Sequence, residues 1–116
     1  VIDNPVKLSL ACRETISDVA NEVYLSAVSA WEICVKHRLG GLTLSEAADT
    51  YIPRQRERHR IETLPLDEVS VLQLSRLPAH HKDPFDRMLI CQAIAHGLAI
   101  VTPDPLITRY PVRTLW

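Results

Sequence analysis

Neither sign of charge is in excess in this chain. Its 116 residues carry 13 Lys and Arg against 14 Asp and Glu, for a formal net charge of -1. That balance excludes a polybasic protein gripping a phosphate backbone by bulk electrostatics, and leaves only local patches for such a task. Cysteine is scarce: Cys12, Cys34 and Cys91 stand far apart with no CxxC pair. A disulfide framework or a zinc knuckle is therefore not expected, and reduced, buried thiols in a cytoplasmic protein are. No run approaches about 18 apolar residues and no basic start precedes an apolar stretch, so neither a membrane span nor a signal peptide is expected. Aromatics make up only 5% of the chain and do not interleave with basic residues as a base-stacking platform requires. Trp31 and Phe85 are expected in the core, with Trp116 pinning the last strand. What the chain does have is 47% hydrophobic residues, enough for one domain with a modest core, and no repeat, linker or low-complexity segment.

The apolar pattern alternates between helices and short strands. Residues 8–19 have helical spacing, and residues 23–25 read as a buried strand closed by Ser26. Ala27, Ala30, Trp31, Cys34 and Val35 form the apolar stripe of a second helix that ends at Gly40 and Gly41. Residues 43–60 are helical in pattern, but Pro53 lacks the amide a helix interior needs, so two short helices are expected there. Residues 61–64 read as a strand, and Asp67 caps a helix that Pro78 stops. The clearest local signal follows, with Asp83 at a cap, Pro84 at the first helical position, Asp86 three beyond the cap, and Gly97 at the end. Residues 98–101 and 112–116 complete the set as strands. Short apolar strands between helices predict an α/β sandwich with a mostly parallel sheet. In such sheets function collects at the carboxyl ends of strands.

Three carboxylates fall at such ends. Glu32 follows the 23–25 strand, Asp86 opens the 84–96 helix, and Asp104 follows the 98–101 strand. Each has a purely structural alternative. Ser29 and Glu32 have the spacing of a capping box, as do Asp83 and Asp86, and Asp104 between two prolines suits a turn. A parallel sheet nevertheless brings all three to one edge, where clustered carboxylates repel unless a cation neutralises them. Oxygen-only ligation favours a hard ion, Mg2+ or Mn2+. Such an ion activates water for attack on phosphorus, so phosphodiester hydrolysis is the chemistry expected. Lys36, four residues after Glu32, either pairs with it or meets phosphate. His81, Lys82 and Arg87 are phosphate-contact candidates whose alternatives are a solvated loop and a surface ion pair. The arginines at 54, 56, 58 and 60 guide a nucleic-acid backbone or form a solvated face.

The stretches VYLSAVSAWEI at 23–33, KHRLG at 36–40, HKDPFDRMLI at 81–90 and VTPD at 101–104, with the Tyr110-Pro111 ending and Trp116, closely resemble PIN domains. More narrowly, they resemble the PilT N-terminus or VapC-type toxins of toxin and antitoxin pairs. The resemblance implies a three-layer α/β/α sandwich and a Mg2+ or Mn2+ dependent endoribonuclease acting on RNA. It also implies a homodimer and inhibition by a small antitoxin, with no membrane partner and no nucleotide or organic cofactor. It makes Glu32, Asp86 and Asp104 the catalytic, metal-holding residues, with Asp83 as a nearby acid. Thr102 becomes a hydroxyl residue near the site, and Ser26 and Ser29 support the loop. Family members open with a strand ending in an aspartate, then a helix leading into a segment like Asp3-Asn4-Pro5 and Leu8-Ser9. This chain starts at that later segment, and Asp3 does not match the catalytic aspartate. The expectation is one PIN domain over residues 1–116 that lacks the first strand and most of the first helix, with activity belonging to the complete protein. Two alternatives are a degenerate PIN-fold interaction module, binding through the helices around residues 45–60, and a PIN nuclease acting on DNA.

Overall fold

The computed structural model describes residues 10–79 and 83–116. The elements run α1 (Leu10–Ser17), β1 (Tyr24–Ser26), α2 (Ala27–Arg38), α3 (Ala48–His59), β2 (Glu62–Leu64) and α4 (Glu68–Gln73), which tightens into a 3-10 turn over Leu74–Arg76. They continue with α5 (Pro84–His96), β3 (Ile100–Val101), α6 (Pro105–Thr108) and β4 (Thr114–Leu115). The arrangement is α/β/α, and every strand pairing among the described residues is parallel. β1 pairs with β2, Leu25 opposite Thr63, and β3 pairs with β4, Val101 opposite Leu115. The described strands thus form two parallel pairs. A cleft of about 150 Å³ lies between them, lined by Val23 and Tyr24 on one side and Val101 and Leu115 on the other.

The core is built on α5. Asp83 Oδ1 accepts from the amides of Phe85 at 2.9 Å and Asp86 at 3.2 Å, Pro84 takes the first position, and Gly97 closes the helix in the left-handed conformation at φ 65°. Leu89, Ile90, Cys91 and Ala93 are buried. Ile90, Cys91 and Ala93 pack with Ile100, Ile107, Tyr110 and Leu77, while Leu89 packs with Val28 and Leu64. Met88 and Leu98 touch both groups and join them. Gln92, the one polar residue in this run, is also fully buried. Its Oε1 accepts from Ser26 Oγ, and its Nε2 donates to the Pro65 carbonyl at 3.2 Å. The end of β1, the end of β2 and α5 are thereby held in one network.

Several details differ from the sequence reading. α3 is one helix with Pro53 inside it, not two. Proline forfeits a single interior amide bond, and the helix runs on through Arg56, whose guanidinium donates to the Leu25 carbonyl at 3.0 Å and the Glu62 carbonyl at 2.9 Å. Arg54 pairs with Glu46 at 2.9 Å and Arg60 is the left-handed cap of α3. Arg54 and Arg56 are therefore engaged locally, while Arg58 and Arg60 are exposed. β3 and β4 are shorter than expected because the Leu98 amide is used on the Ala93 carbonyl and the Val112 amide on the Tyr110 carbonyl. α6 was not foreseen. α2 is rotated relative to the predicted stripe, burying Val28 and Ser29 and leaving Trp31 and Cys34 exposed. Its apolar residues are spread over more than half of the helix circumference, so spacing alone did not fix the inward face. Cys91 is buried as expected, and burial pushes its thiol up; Cys34 corrects the expectation of buried thiols. Asp3, His81, Lys82 and the side chain of Cys12 lie outside the described residues. No helix among the described residues is long and apolar enough to cross a membrane.

Candidate functional site

The site begins at Ser26, the last residue of β1. Its hydroxyl accepts from the Val28 amide at 3.0 Å and so caps α2, while donating to Gln92. The cap at Ser26 makes Ser29 the third helical residue, which removes the Ser29–Glu32 capping box. Glu32 then sits in the second turn, free of any capping duty. Its side chain is only 14% exposed, and its carboxylate meets the Lys36 ammonium at 2.8 Å.

Lys36 reports what else is nearby. The hydrogen bond it donates to Glu32 raises its pKa above the ordinary lysine value, partial burial opposes that rise, and the charges of Glu32, Asp83 and Asp86 add to it. The charges of Asp83 and Asp86 thus reach Lys36 across the packing of α2 on α5, while Glu32 alone pairs with it directly. Asp83 and Asp86 both stand at the amino end of α5, where the helix dipole favours anions. Ser29 belongs to the same face of α2, one turn before Glu32, and its buried hydroxyl has no partner among the described residues.

Asp104 stands apart from this group. It follows β3, its Oδ1 accepts from the Leu106 amide at 2.9 Å as the cap of α6, and its own amide donates to Thr102 Oγ1 at 3.1 Å. Thr102 is buried, and its amide extends the β3–β4 ladder to the Leu115 carbonyl at 2.9 Å. Arg87 reaches the Pro78 carbonyl at 3.0 Å and the Tyr110 hydroxyl at 3.4 Å, tying α5 to the segments before and after it.

The expected cage of Glu32, Asp86 and Asp104 is not closed. Among the described residues, no three acidic, histidine or cysteine side chains gather closely enough to hold a metal. The physical reason is visible in the contacts, since Glu32 is turned to Lys36 while Asp83 and Asp104 are turned to helix amides. The donor chemistry, carboxylates beside an unpartnered hydroxyl, still suits a hard divalent cation. A cleft of about 490 Å³ lies elsewhere, between the 16–22 turn and the amino ends of β1 and β2. That is the opposite end of the strands from Ser26.

Two residues escaped the sequence reading. Gln92 was hidden in an apolar run, yet a polar side chain in a fully buried stretch demands a partner, and that demand was readable. Trp31 was assigned to the core but is 60% exposed, with its ring 4.8 Å from Phe85 in an edge-to-face contact.

A glutamate in the helix after β1, an aspartate in the first turn of α5 and an aspartate after β3 stand in an α/β protein of parallel strand pairs. The chain belongs to the PIN domain family, whose sequence pattern matches residues 4–112. It is also similar to Ribonuclease VapC16 of Mycobacterium tuberculosis (strain ATCC 25618 / H37Rv), at 40% identity over 55 residues. That alignment covers 47% of this chain and 39% of the length of the mycobacterial protein.

Proposed function

We propose that the full-length protein is a metal-dependent endoribonuclease and the toxin half of a toxin and antitoxin pair, hydrolysing RNA phosphodiester bonds. The observation that carries this reading is the mostly buried Glu32 carboxylate, paired with Lys36 at 2.8 Å on the helix that the Trp31–Phe85 contact sets against the amino end of α5, in a chain of the PIN family. The similarity to a protein named a ribonuclease supports it. Glu32, Asp86 and Asp104 are the residues proposed to hold Mg2+ or Mn2+, with Asp83 as an added acid. When bound, such an ion supplies an activated water and stabilises charge on the phosphate oxygens.

The chain's own residues have separate tasks. Ser26 fixes the start of α2 and hence the height of Glu32 on the edge. The amino end of α5, where the helix dipole favours negative charge, carries Asp86. Lys36, with 60% of its side chain exposed, neutralises Glu32 and is placed to contact phosphate once the carboxylate turns elsewhere. Arg87, His81 and Lys82 are proposed as further phosphate contacts. A small antitoxin and a second copy of the chain are the proposed protein partners.

The test is cleavage of matched single-stranded RNA and DNA by the full-length protein with Mg2+ or Mn2+. RNA cleavage that falls on the order of 100-fold or more in Asp86→Asn is expected. Retained cleavage in that variant sinks the site assignment, and preferential DNA cleavage replaces RNA as the substrate. A second reading, a PIN-fold interaction module without nuclease activity, draws on the exposed apolar side chains of α4, Val69 and Leu72 among them. A folded, metal-supplied protein that cuts neither substrate favours that reading.

A further inference from the structure

Trp31 is out of place as a core residue. Its neighbours in α2, Val28 and Ser29, are buried against α5, while the indole is left 60% exposed. It is also not loose. The Phe85 ring stands 4.8 Å away at 75°, an edge-to-face contact that braces the indole across the junction of α2 and α5. The two aromatic residues directly precede two of the carboxylates, Trp31 before Glu32 and Phe85 before Asp86. A braced, exposed aromatic surface thus borders the acidic edge on both helices.

We infer that Trp31, held by Phe85, is a stacking platform for an unpaired nucleobase of single-stranded RNA at the acidic edge. The inference rests on the endoribonuclease reading and adds to it how the substrate is gripped. A chain with net charge -1 has little bulk attraction for a polyanion, and its carboxylates repel phosphate. A contact that does not depend on charge would add to what local phosphate contacts and a bound cation supply. Base stacking on an aromatic ring is such a contact, indifferent to which base is presented, and RNA enzymes use it on single strands whose bases are splayed out. Scattered exposed apolar residues such as Val19 and Leu39 need no such account. Trp31 differs from them by its brace and its position beside Glu32.

The experiment uses full-length protein carrying Asp86→Asn, which the endoribonuclease reading expects not to cut, with Mg2+ and a short fluorescent single-stranded RNA. In this background Trp31→Ala is expected to weaken binding about tenfold, and Trp31→Phe much less, because an aromatic face remains. The loss should persist at raised salt, where electrostatic contacts fade. RNA should also quench tryptophan fluorescence in this protein, and Trp31→Phe should remove that quenching. Unchanged affinity in a folded Trp31→Ala protein, checked by circular dichroism, overturns the inference and leaves the nuclease reading standing. Cleavage persisting in Asp86→Asn, or no RNA binding by that protein at any salt, counts against the nuclease reading itself and removes the ground for the inference.

Discussion

Lys36 and Ser26 show how single side chains set the site. Because Glu32 raises the Lys36 pKa, their pairing contributes stability that is fully present below the ordinary lysine value and is lost as pH rises through the raised one. Lys36 is mostly exposed, so solvent screening keeps the contribution small. Lys36→Met should lower stability by less than about 1 kcal/mol at neutral pH, and thermal melts should show the gap closing above pH 10.5, the ordinary value. The two serines of the loop should separate clearly in urea denaturation. Ser26→Ala removes the α2 cap and strands Gln92 Oε1, so a loss of about 2 kcal/mol is expected. Ser29→Ala removes a buried hydroxyl without a partner among the described residues and should change stability by less than about 0.5 kcal/mol. Glu32, Asp86 and Asp104 stood out in the sequence because each follows a strand or opens a helix. The contacts that engage them did not, since the choice between Ser26 and Ser29 as cap depends on where β1 ends.

At the level of elements, chemistry written in adjacent residues was readable and chemistry depending on distant partners was not. Asp83-Pro84 announced α5, with Gly97 at its end. Asp104-Pro105 carries the same signal, and α6 follows it for the same reason, although a four-residue helix has too little apolar pattern to be seen. Pro53 was read as a break because proline lacks an amide, yet α3 keeps its course where Arg56 grips the carbonyls of Leu25 and Glu62. The helix therefore tolerates an unfavourable residue. Pro53→Ala restores an amide donor and should stabilise the protein by about 1–3 kcal/mol in chemical denaturation. An unchanged or lowered stability would mean that proline's restriction of the unfolded chain outweighs the missing bond. The inward face of α2 was misread for a different reason: a helix whose apolar residues spread over more than half of its circumference is oriented by what it packs against. Here α5 decides, burying Val28 and Ser29 and leaving Trp31 at the rim.

The whole molecule is an α/β/α arrangement of parallel strand pairs around α5, and that class followed from short apolar runs alternating with helices. What the sequence could not convey was the state of the acidic edge. Glu32 pairs with Lys36, Asp83 caps α5 and Asp104 caps α6 beside Thr102, and the carboxylates close no cage among the described residues. Spacing shows which residues reach an edge; it does not show which partners their oxygens choose there. The central claim is that these carboxylates act together on RNA with a divalent ion. The most direct measurement is the RNA cleavage rate of the full-length protein against Mn2+ concentration, for the parent and for Glu32→Gln, Asp86→Asn and Asp104→Asn. Asn is as good a helix cap as Asp, so Asp104→Asn keeps the α6 cap, and Glu32→Gln and Asp86→Asn alter no cap; all three variants should keep the fold, which their melting temperatures will check. Cleavage that requires Mn2+, disappears with a chelator and falls on the order of 100-fold or more in each variant is expected. Cleavage that survives the chelator, or that any one folded variant retains at the parent's rate, contradicts the account.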